Sequence, residues 1–414
     1  MIVRGRISVS HMNQISRASI LLAVLLLTAA CLPPREPTGA QHPGPSDPLD
    51  PLVGDLCNKS VVMLGEEDHH GGGRTAEIKA DLVRRLIDRC GFDAVYFESS
   101  LYEFVDLDRR LSAATSAPEQ LADAIGGLWN RSVAIDPLVS YLYARASAGR
   151  LHLAGLDPQL GSATSGYEKG ALVDEMLQGL DEPRRSTCAA DLSRHVNWRY
   201  DDEHRFDAAQ RDRLLDCFRE AGEAAQPGSV ASVLAHAASA ALPNPSVGMD
   251  PNGRERQMAV LFRWHRQRSP ATSKVIVWTA NVHAARSLAP VSSPLQPFGS
   301  DLQAEYGARL ASIAFTSLGG AYGFGNPTLI PPAPPDSLEA RAMADETKQL
   351  RYLAKAQLAD LGEVDAWLLA YGKPRHANWS LLFDGVVVLR EEKPQSMDRP
   401  ATPRFVPAVG RDRG

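Results

Sequence analysis

The chain has 414 residues, of which 44% are hydrophobic and 22% are charged, so it can bury a large core within one or two domains. Its formal net charge is −5, from 44 basic and 49 acidic side chains. This acidic balance argues against a nucleic-acid partner, which needs a basic patch.

The N-terminal 30 residues predict a secretory signal. Three arginines precede an apolar run, Ile20 to Ala30, that is shorter than the roughly 20 residues a membrane span needs. Small residues then lead directly to Cys31, as in a bacterial lipobox, where the cysteine is lipidated, although Thr28 stands where leucine is usual. We therefore expect a lipid-anchored protein of the cell envelope, with a periplasmic or secreted protein as the alternative.

Composition divides the rest of the chain. Residues 31–50 and 396–414 are rich in proline or glycine and read as a tether and a loose tail. Residues 51–160 and 270–395 carry the strand-like runs of an α/β core, and residues 161–269 form a predicted helical insertion.

Four cysteines follow Cys31, and an even number in an exported protein favours disulfides. They are Cys57, Cys90, Cys188 and Cys217. Pairing of neighbours is one of three connectivities, and buried free thiols are the alternative.

The first structural unit is a predicted βαβ unit. A buried strand over 60–64 leads into a glycine-rich loop, and a helix over 74–90 ends at Gly91, a natural helix stop. The next strand covers 94–97, so the two strands should be parallel.

The remaining elements complete the prediction. Helices are expected over 102–125, 133–148 and 337–361, and strands over 151–154, 274–278, 311–315 and 385–389. The fold class predicted is α/β, with a mostly parallel sheet flanked by helices and a helical insertion subdomain.

Polar side chains follow the ends of four apolar, strand-like runs. They are Glu66, His69, Glu98, Asp157 and His283. Since ligands of an open parallel sheet bind outside the carboxyl ends of its strands, these residues should converge on one pocket. Two histidines and three carboxylates in one cleft can form an acid–base active site or a metal site.

The loop after the first strand places acids and histidines close together at a helix start. Glu66 and His69 could hydrogen-bond, and a carboxylate on one imidazole nitrogen makes the other more basic, as a general base needs. His70 is interpreted as the more dispensable histidine. Lys79 could stabilise a carboxylate or a developing oxyanion. The alternatives are a solvated acidic loop and a surface lysine.

Glu98 ends a strand that should be buried, where an unpaired carboxylate is costly, so it must have a partner, for which His69 or Lys79 is a candidate; a purely structural pairing is the alternative. His283 could serve as an acid or a metal ligand, or be a satisfied core histidine.

Asp157 and Arg254 are candidates for substrate binding, with a scaffold role as the alternative. The G-x-S-x-G elbow, H-E-x-x-H, the P-loop and G-x-G-x-x-G do not occur in the sequence. We therefore predict no metal and no cofactor.

Segments in the right order, from about residue 55 to residue 395, resemble the erythromycin esterase family. They are Leu64-Gly65-Glu66-x-x-His69 with Lys79, Gly91-Phe92 and Glu98; Gly155-Leu156-Asp157-x-Gln159; Arg254-Glu255-x-x-Met258-Ala259; Val277-Trp278-Thr279-Ala280-Asn281-Val282-His283; and Phe383-Asp384. The resemblance implies a metal-independent hydrolase in which a loop histidine activates water, aided by acids and a second histidine. The family is named for macrolide cleavage.

The chain departs from the family pattern at four points. His70 replaces the glycine after the motif histidine, and the loop is one residue longer. Arg74 occupies the place of an expected acid, and Ala280 replaces the first histidine of His-Asn-x-His. The resemblance implies His69 as base, with Glu66, Glu98, Lys79 and His283 in supporting roles, acting on a carboxylic ester or lactone.

Two rival functions stay open. One is a metal-dependent hydrolase that uses His69, His283 and the carboxylates as ligands. The other is a non-catalytic lipoprotein that binds a ligand or haem, for which Ala280 is the main sequence argument.

Overall fold

A seven-stranded β-sheet forms the centre of the protein in the computed structural model, which describes residues 47–67, 70–127, 129, 132–160, 166–248 and 250–396. The order of its strands is β3-β2-β4-β1-β5-β11-β8, parallel except for β8, which is antiparallel to β11. Two antiparallel hairpins, β6–β7 and β9–β10, lie outside the sheet. The strands are β1 Val61–Leu64, β2 Ala94–Ser100, β3 His152–Asp157, β4 Val275–Trp278, β5 Leu310–Ser317, β6 Ala321–Tyr322, β7 Thr328–Leu329, β8 Leu350–Ala354, β9 Glu363–Ala366, β10 Arg375–Asn378 and β11 Gly385–Leu389.

Fifteen α-helices surround the sheet within the described residues. They are α1 Asp50–Leu56, α2 Gly73–Cys90, α3 Leu101–Ser112, α4 Pro118–Ile125, α5 Asp136–Ser147, α6 Gly166–Lys169, α7 Ala171–Leu177, α8 Arg184–Val196, α9 Ala208–Ala224, α10 Val230–Ala241, α11 Pro251–Gln267, α12 Asn281–Ala284, α13 Phe298–Tyr306, α14 Leu338–Ala342 and α15 Lys355–Leu361. The α/β class and the helices predicted between residues 161 and 269 are confirmed, since α6 to α11 lie in that range.

The sheet is buried on both faces because its strands alternate between two apolar clusters. Val61 and Met63 of β1 pack on the side of helices α7 to α11, while Val62 and Leu64 pack on the side of α1, α2, α4 and α5. All four residues are fully buried. Continuous apolar strands of this kind are typical of parallel sheets covered by helices on both sides.

The predicted βαβ unit is confirmed. β1 and β2 both run parallel to β4, which lies between them in the sheet. The helix between them ends where expected, since Gly91 adopts the left-handed conformation (φ 70°) that glycine accommodates without strain.

Both neighbouring cysteine pairs form disulfides, so the alternative of buried free thiols is excluded. Cys57, after α1, is bonded to Cys90 at the end of α2, and Cys188 of α8 is bonded to Cys217 of α9.

The helix predicted over 337–361 is wrong in its middle. Two short helices, α14 and α15, flank β8, which pairs with β11 at the edge of the sheet. Only Leu353 of β8 is fully buried, so the strand has no continuous apolar face that the sequence could show.

The predicted signal, Cys31 and nearly all of the tether lie outside the described residues, as does the tail from residue 397 onward. Across the part of the chain that is described, no helix combines the length and hydropathy needed to cross a bilayer.

Candidate active site

The carboxyl ends of β1, β2, β3 and β4 bring the predicted site residues together at one edge of the sheet. Since the four strands are parallel neighbours in the order β3-β2-β4-β1, residues that follow them lie side by side. Glu98 lies near the carboxyl end of β2, Asp157 is the last residue of β3, and His283 lies in α12, shortly after β4. The predicted convergence is confirmed for these residues.

Glu98 lies at the centre of the first group of charges. Its Oε1 atom is 2.9 Å from Arg254 Nη2 and 3.0 Å from His283 Nε2. Its Oε2 atom accepts hydrogen bonds from Thr279 Oγ1 (2.7 Å) and the Ala280 amide (2.9 Å). Burial alone would raise the pKa of Glu98, but the charges of His283 and Arg254 hold it well below its usual value. Glu98 is therefore an anion held by Arg254 and His283; of the two partners suggested by the sequence, Lys79 pairs with Glu66 instead, and His69 lies outside the described residues.

Arg254 links two of these strand ends from the insertion helix α11. In addition to Glu98, it binds Asp157 through Nη2 (2.9 Å to Oδ2) and Nε (3.3 Å to Oδ1). Its side chain is 14% exposed, and its Nη1 atom lies 3.0 Å from His283 Nε2. A planar cation with several donors suits this bridging position. The structure thus places both predicted substrate-binding residues in one ion network, and their contact with substrate stays a prediction.

His283 is held between two carboxylates, one of which the sequence analysis missed. Glu255 Oε1 lies 2.5 Å from Nδ1, an ion-pair contact without well-aligned hydrogen-bond geometry, while Glu98 faces Nε2. Burial opposes the charged imidazole, but the charges of Glu98 and Glu255 raise the pKa of His283 to about 9. The raised pKa favours the charged imidazolium at neutral pH, a form that can donate a proton.

Glu255 is itself fixed by the fold. Its Oε2 atom accepts a hydrogen bond from the Phe298 amide (2.7 Å) at the start of α13, and the side chain is 2% exposed. A carboxylate at a helix N-terminus is electrostatically favourable. The acid directly after Arg254 in the family-like segment was the one sequence signal that pointed to it.

Lys79 and Glu66 form the second group of charges. Lys79, on α2, is fully buried, which excludes the surface-lysine alternative. Its Nζ atom is 3.4 Å from Glu66 Oε2 and 4.2 Å from the centre of the Trp278 ring. Burial lowers the pKa of Lys79 to about 8, against the opposing charge of Glu66. Lys79 thus pairs with Glu66, whereas the sequence had suggested it as a partner of Glu98.

Glu66 also holds a histidine of the loop after β1. Its Oε1 atom lies 2.9 Å from His70 Nδ1 and accepts a hydrogen bond from Trp129 Nε1 (2.9 Å). Burial alone would raise the pKa of Glu66, but Lys79 and His70 lower it. Glu66 itself is not solvated, because it is only 2% exposed. No sequence signal pointed to Trp129.

His70 takes the position that the sequence analysis gave to its neighbour. Burial disfavours its charged form, but the hydrogen bond and charge of Glu66 outweigh this and raise the pKa of His70. The structure therefore places His70, interpreted from the sequence as the more dispensable histidine, in contact with Glu66. His69 lies outside the described residues, so its predicted role stays a prediction.

Thr279 and Ala280 join the two groups of charges. The Thr279 carbonyl accepts a hydrogen bond from Lys79 Nζ (3.4 Å), while its hydroxyl donates to Glu98. Ala280 is buried and contributes its backbone amide to Glu98. At the position where the family pattern has a histidine, this chain thus has an alanine whose backbone amide binds Glu98.

Asn281 joins several segments at this edge of the sheet through hydrogen bonds. Its side chain donates to the Phe315 and Leu368 carbonyls (2.8 and 2.6 Å) and accepts from the Phe315 amide (3.1 Å). Its own amide donates to the Glu66 carbonyl (2.6 Å), next to Gly65. Asn281 therefore ties the loop after β1 to β5.

Among the residues that the structure describes, no group of three or more His, Cys, Asp or Glu side chains could hold a metal ion.

Comparisons with known proteins place this architecture. The family model described as erythromycin esterase matches residues 87–392, a range that includes Glu98, Asp157, Arg254 and His283. A search of curated protein sequences gives no significant match.

Three solved structures resemble the chain at low sequence identity. A protein from Bacillus cereus has a TM-score of 0.63 at 15% identity, covering 85% of this chain and 93% of its own. A succinoglycan biosynthesis protein has a TM-score of 0.64 at 14% identity, covering 84% and 91%. A mutant of the erythromycin esterase EreC in its open conformation has a TM-score of 0.61 at 17% identity, covering 85% and 95%. These likenesses establish the fold, and because the family model covers most of the chain, the chain belongs to the erythromycin esterase family.

Proposed function

We propose that the protein hydrolyses a carboxylic ester or lactone by attack of a water molecule that a loop histidine activates. The family and the fold support a hydrolase of this type. The observation that carries the mechanism is the contact between Glu66 Oε1 and His70 Nδ1 at 2.9 Å. When Nδ1 donates to a carboxylate, Nε2 is left as the proton acceptor, as a general base requires.

We assign the base to His70, with His69 as the alternative that the spacing of the motif predicts. The family motif ends in His-Gly, and His70 is followed by Gly71. A Cβ atom on Gly71 would lie 2.4 Å from the Gly323 amide nitrogen, so the fold requires glycine there. His283 is less suited to the role because Glu98 and Glu255 raise its pKa to about 9.

The proposed reaction balances without a covalent enzyme intermediate. His70 Nε2 takes a proton from water as the water oxygen bonds to the acyl carbon. The tetrahedral oxyanion is stabilised by the positive side chains of Lys79, Arg254 and His283. The acyl carbon–oxygen bond to the alcohol then breaks, and the His70 imidazolium returns its proton to the leaving alkoxide. The products are a carboxylic acid and an alcohol.

Replacing His70 by alanine should lower kcat/KM by about 10²–10⁴-fold, the usual contribution of a general base. Turnover is measured with the purified full-length chain on a panel of aryl esters and macrolactones. A general base acts only when it is unprotonated, so the wild-type rate should rise with pH as His70 loses its proton. Because the pKa of His70 is raised, the midpoint of this rise should lie above about pH 6.5, the ordinary histidine value. This rise should disappear in the residual activity of the variant.

His69→Ala is the matched control, changing the same residue type one position earlier. It should keep most of the activity. Loss of turnover in His69→Ala with retention in His70→Ala would transfer the base to His69. Retention of full activity in both variants would overturn water activation by a histidine of this loop.

We also propose that the protein is exported and anchored by a lipid on Cys31. The two disulfides support an oxidising compartment. Expressed in a bacterial host, the wild type should sediment with membranes and a Cys31→Ser variant should be recovered in the soluble fraction. Equal distribution of the two proteins would exclude the anchor.

A further inference from the structure

Three consecutive glycines follow His70, and each is closely approached by another segment. A Cβ atom on Gly71 would lie 2.4 Å from the Gly323 nitrogen, and one on Gly72 would lie 2.7 Å from Glu392 Oε2. A Cβ atom on Gly73 would lie 2.7 Å from the Pro394 carbonyl oxygen. Two of the three contacts come from residues 392–396, which we call the C-terminal strap.

The strap is bonded to the main chain of the loop after β1. The Gly73 amide donates to the Lys393 carbonyl (2.6 Å), and the Gln395 amide donates to the carbonyls of Gly71 (3.2 Å) and Gly323 (3.0 Å). The side-chain amide of Gln395 donates to the His70 carbonyl. Gln395 is 3% exposed, so water does not readily replace these bonds.

Glu392 binds the start of the helix that carries Lys79. Its Oε1 atom accepts hydrogen bonds from the Arg74 (2.8 Å) and Thr75 (3.2 Å) amides, and its Oε2 atom accepts from the Thr75 hydroxyl. The N-cap residue of α2, Gly72, has no side chain that could do this. An acid 318 positions away thus caps α2 at Arg74, the position where the family pattern led us to expect an acid.

His70 needs such support because its backbone lies in the left-handed region (φ 55°), which costs a non-glycine residue of order 1 kcal/mol or more. A histidine in this conformation keeps its position only if its surroundings fix it. Two hydrogen bonds provide that support. The Gln395 side chain donates to the His70 carbonyl, and the His70 amide donates to the Glu67 carbonyl (3.2 Å).

We propose that Glu392 and Gln395 are positioning residues, through which the C-terminal strap holds His70 and the start of α2 in the geometry needed for water activation. The proposal rests on the proposed function in taking His70 as the base. The strap acts on the loop through its backbone and does not touch the reacting atoms.

The test uses the full-length chain with the variants Gln395→Met and Glu392→Gln. Methionine keeps the length of the side chain and removes its donor, while glutamine keeps the shape of Glu392 and replaces one of its two accepting oxygens by a donor amide. Amide hydrogen exchange of residues 70–75 should become faster in both variants. A shift of about 1 Å in a catalytic group can cost about 10²-fold in rate, so kcat/KM should fall by about 10- to 100-fold, with KM changed little.

Glu391→Gln is the control, since Glu391 is exposed and adjacent to the strap; its exchange and turnover should match the wild type. Unchanged exchange and turnover in Gln395→Met would overturn the proposal. So would a loss of turnover with unchanged exchange at residues 70–75. If His70→Ala retains activity, the assignment of the base fails, while the exchange measurement still tests the strap.

Discussion

Replacing Arg254 by methionine is expected to lower the free energy of unfolding by about 3–5 kcal/mol, the usual cost of removing one partner from a buried ion network. Arg254 is the cation shared by Glu98 and Asp157, which are 6% and 7% exposed. Without it, within the described residues, Glu98 would keep His283 as its positive contact and Asp157 would keep the Gln159 amide. Chemical denaturation at pH 7 measures the loss.

Arg256→Met is the matched control on the same helix. Arg256 and its partner Asp250 are more than half exposed and 3.4 Å apart, so its replacement should change stability by less than about 1 kcal/mol. An equal loss in the two variants would show that α11 depends on arginine in general and not on the Glu98 network.

The pH dependence of the Arg254→Met loss has a definite sign. The folded-state pKa of Glu98 lies well below 4.5, despite burial, because of the charges of His283 and Arg254. Stability from such a group is present above its unfolded pKa and lost as the pH falls through the folded value. The difference between wild type and variant should therefore shrink below about pH 4.5. A difference that grows towards acid pH would contradict this account of Arg254.

The α/β fold could be predicted because its signals are local. Apolar strands, the periodic helix α2 and the stop at Gly91 each occupy a short segment, and parallel strands bring their carboxyl ends to one edge. Strand β8 was not predicted, because it is a short edge strand with polar and half-buried positions that lies between two helices in the sequence. Its pairing with β11 depends on a long-range contact that no local pattern shows.

The candidate site also has a part that local sequence signals could predict and a part that depends on long-range contacts. The residues at strand ends, such as Glu98 and His283, could be named from the sequence, but their partners could not. Which cation reaches Glu98 depends on how α11 packs over the sheet, and this favours Arg254 over Lys79. Glu392 is the extreme case, because its position beside α2 follows only from the complete fold.

Replacing Gly65 by alanine should both destabilise the protein and remove most of its activity. A Cβ atom at this position would lie 2.1 Å from Asn281 Oδ1 and 3.0 Å from Asn281 Cα. Asn281 cannot simply rotate away, because its side chain is bonded to Phe315 and Leu368. Overpacking typically costs about 1–3 kcal/mol, and each buried hydrogen bond that the shift breaks adds about 1 kcal/mol.

The same shift should reach the catalytic pair, since Gly65 precedes Glu66 and the Glu66 carbonyl accepts from the Asn281 amide. A displacement of about 1 Å in Glu66 and His70 predicts a fall in kcat/KM of about 100-fold. Gly54→Ala separates this effect from the general effect of adding a methyl group. Gly54 lies in α1, is exposed and has no atom within 4 Å of a new Cβ, so alanine should stabilise the protein by up to about 1 kcal/mol. If Gly65→Ala behaved like Gly54→Ala in both denaturation and turnover, Asn281 would not be the rigid element that fixes the position of Glu66.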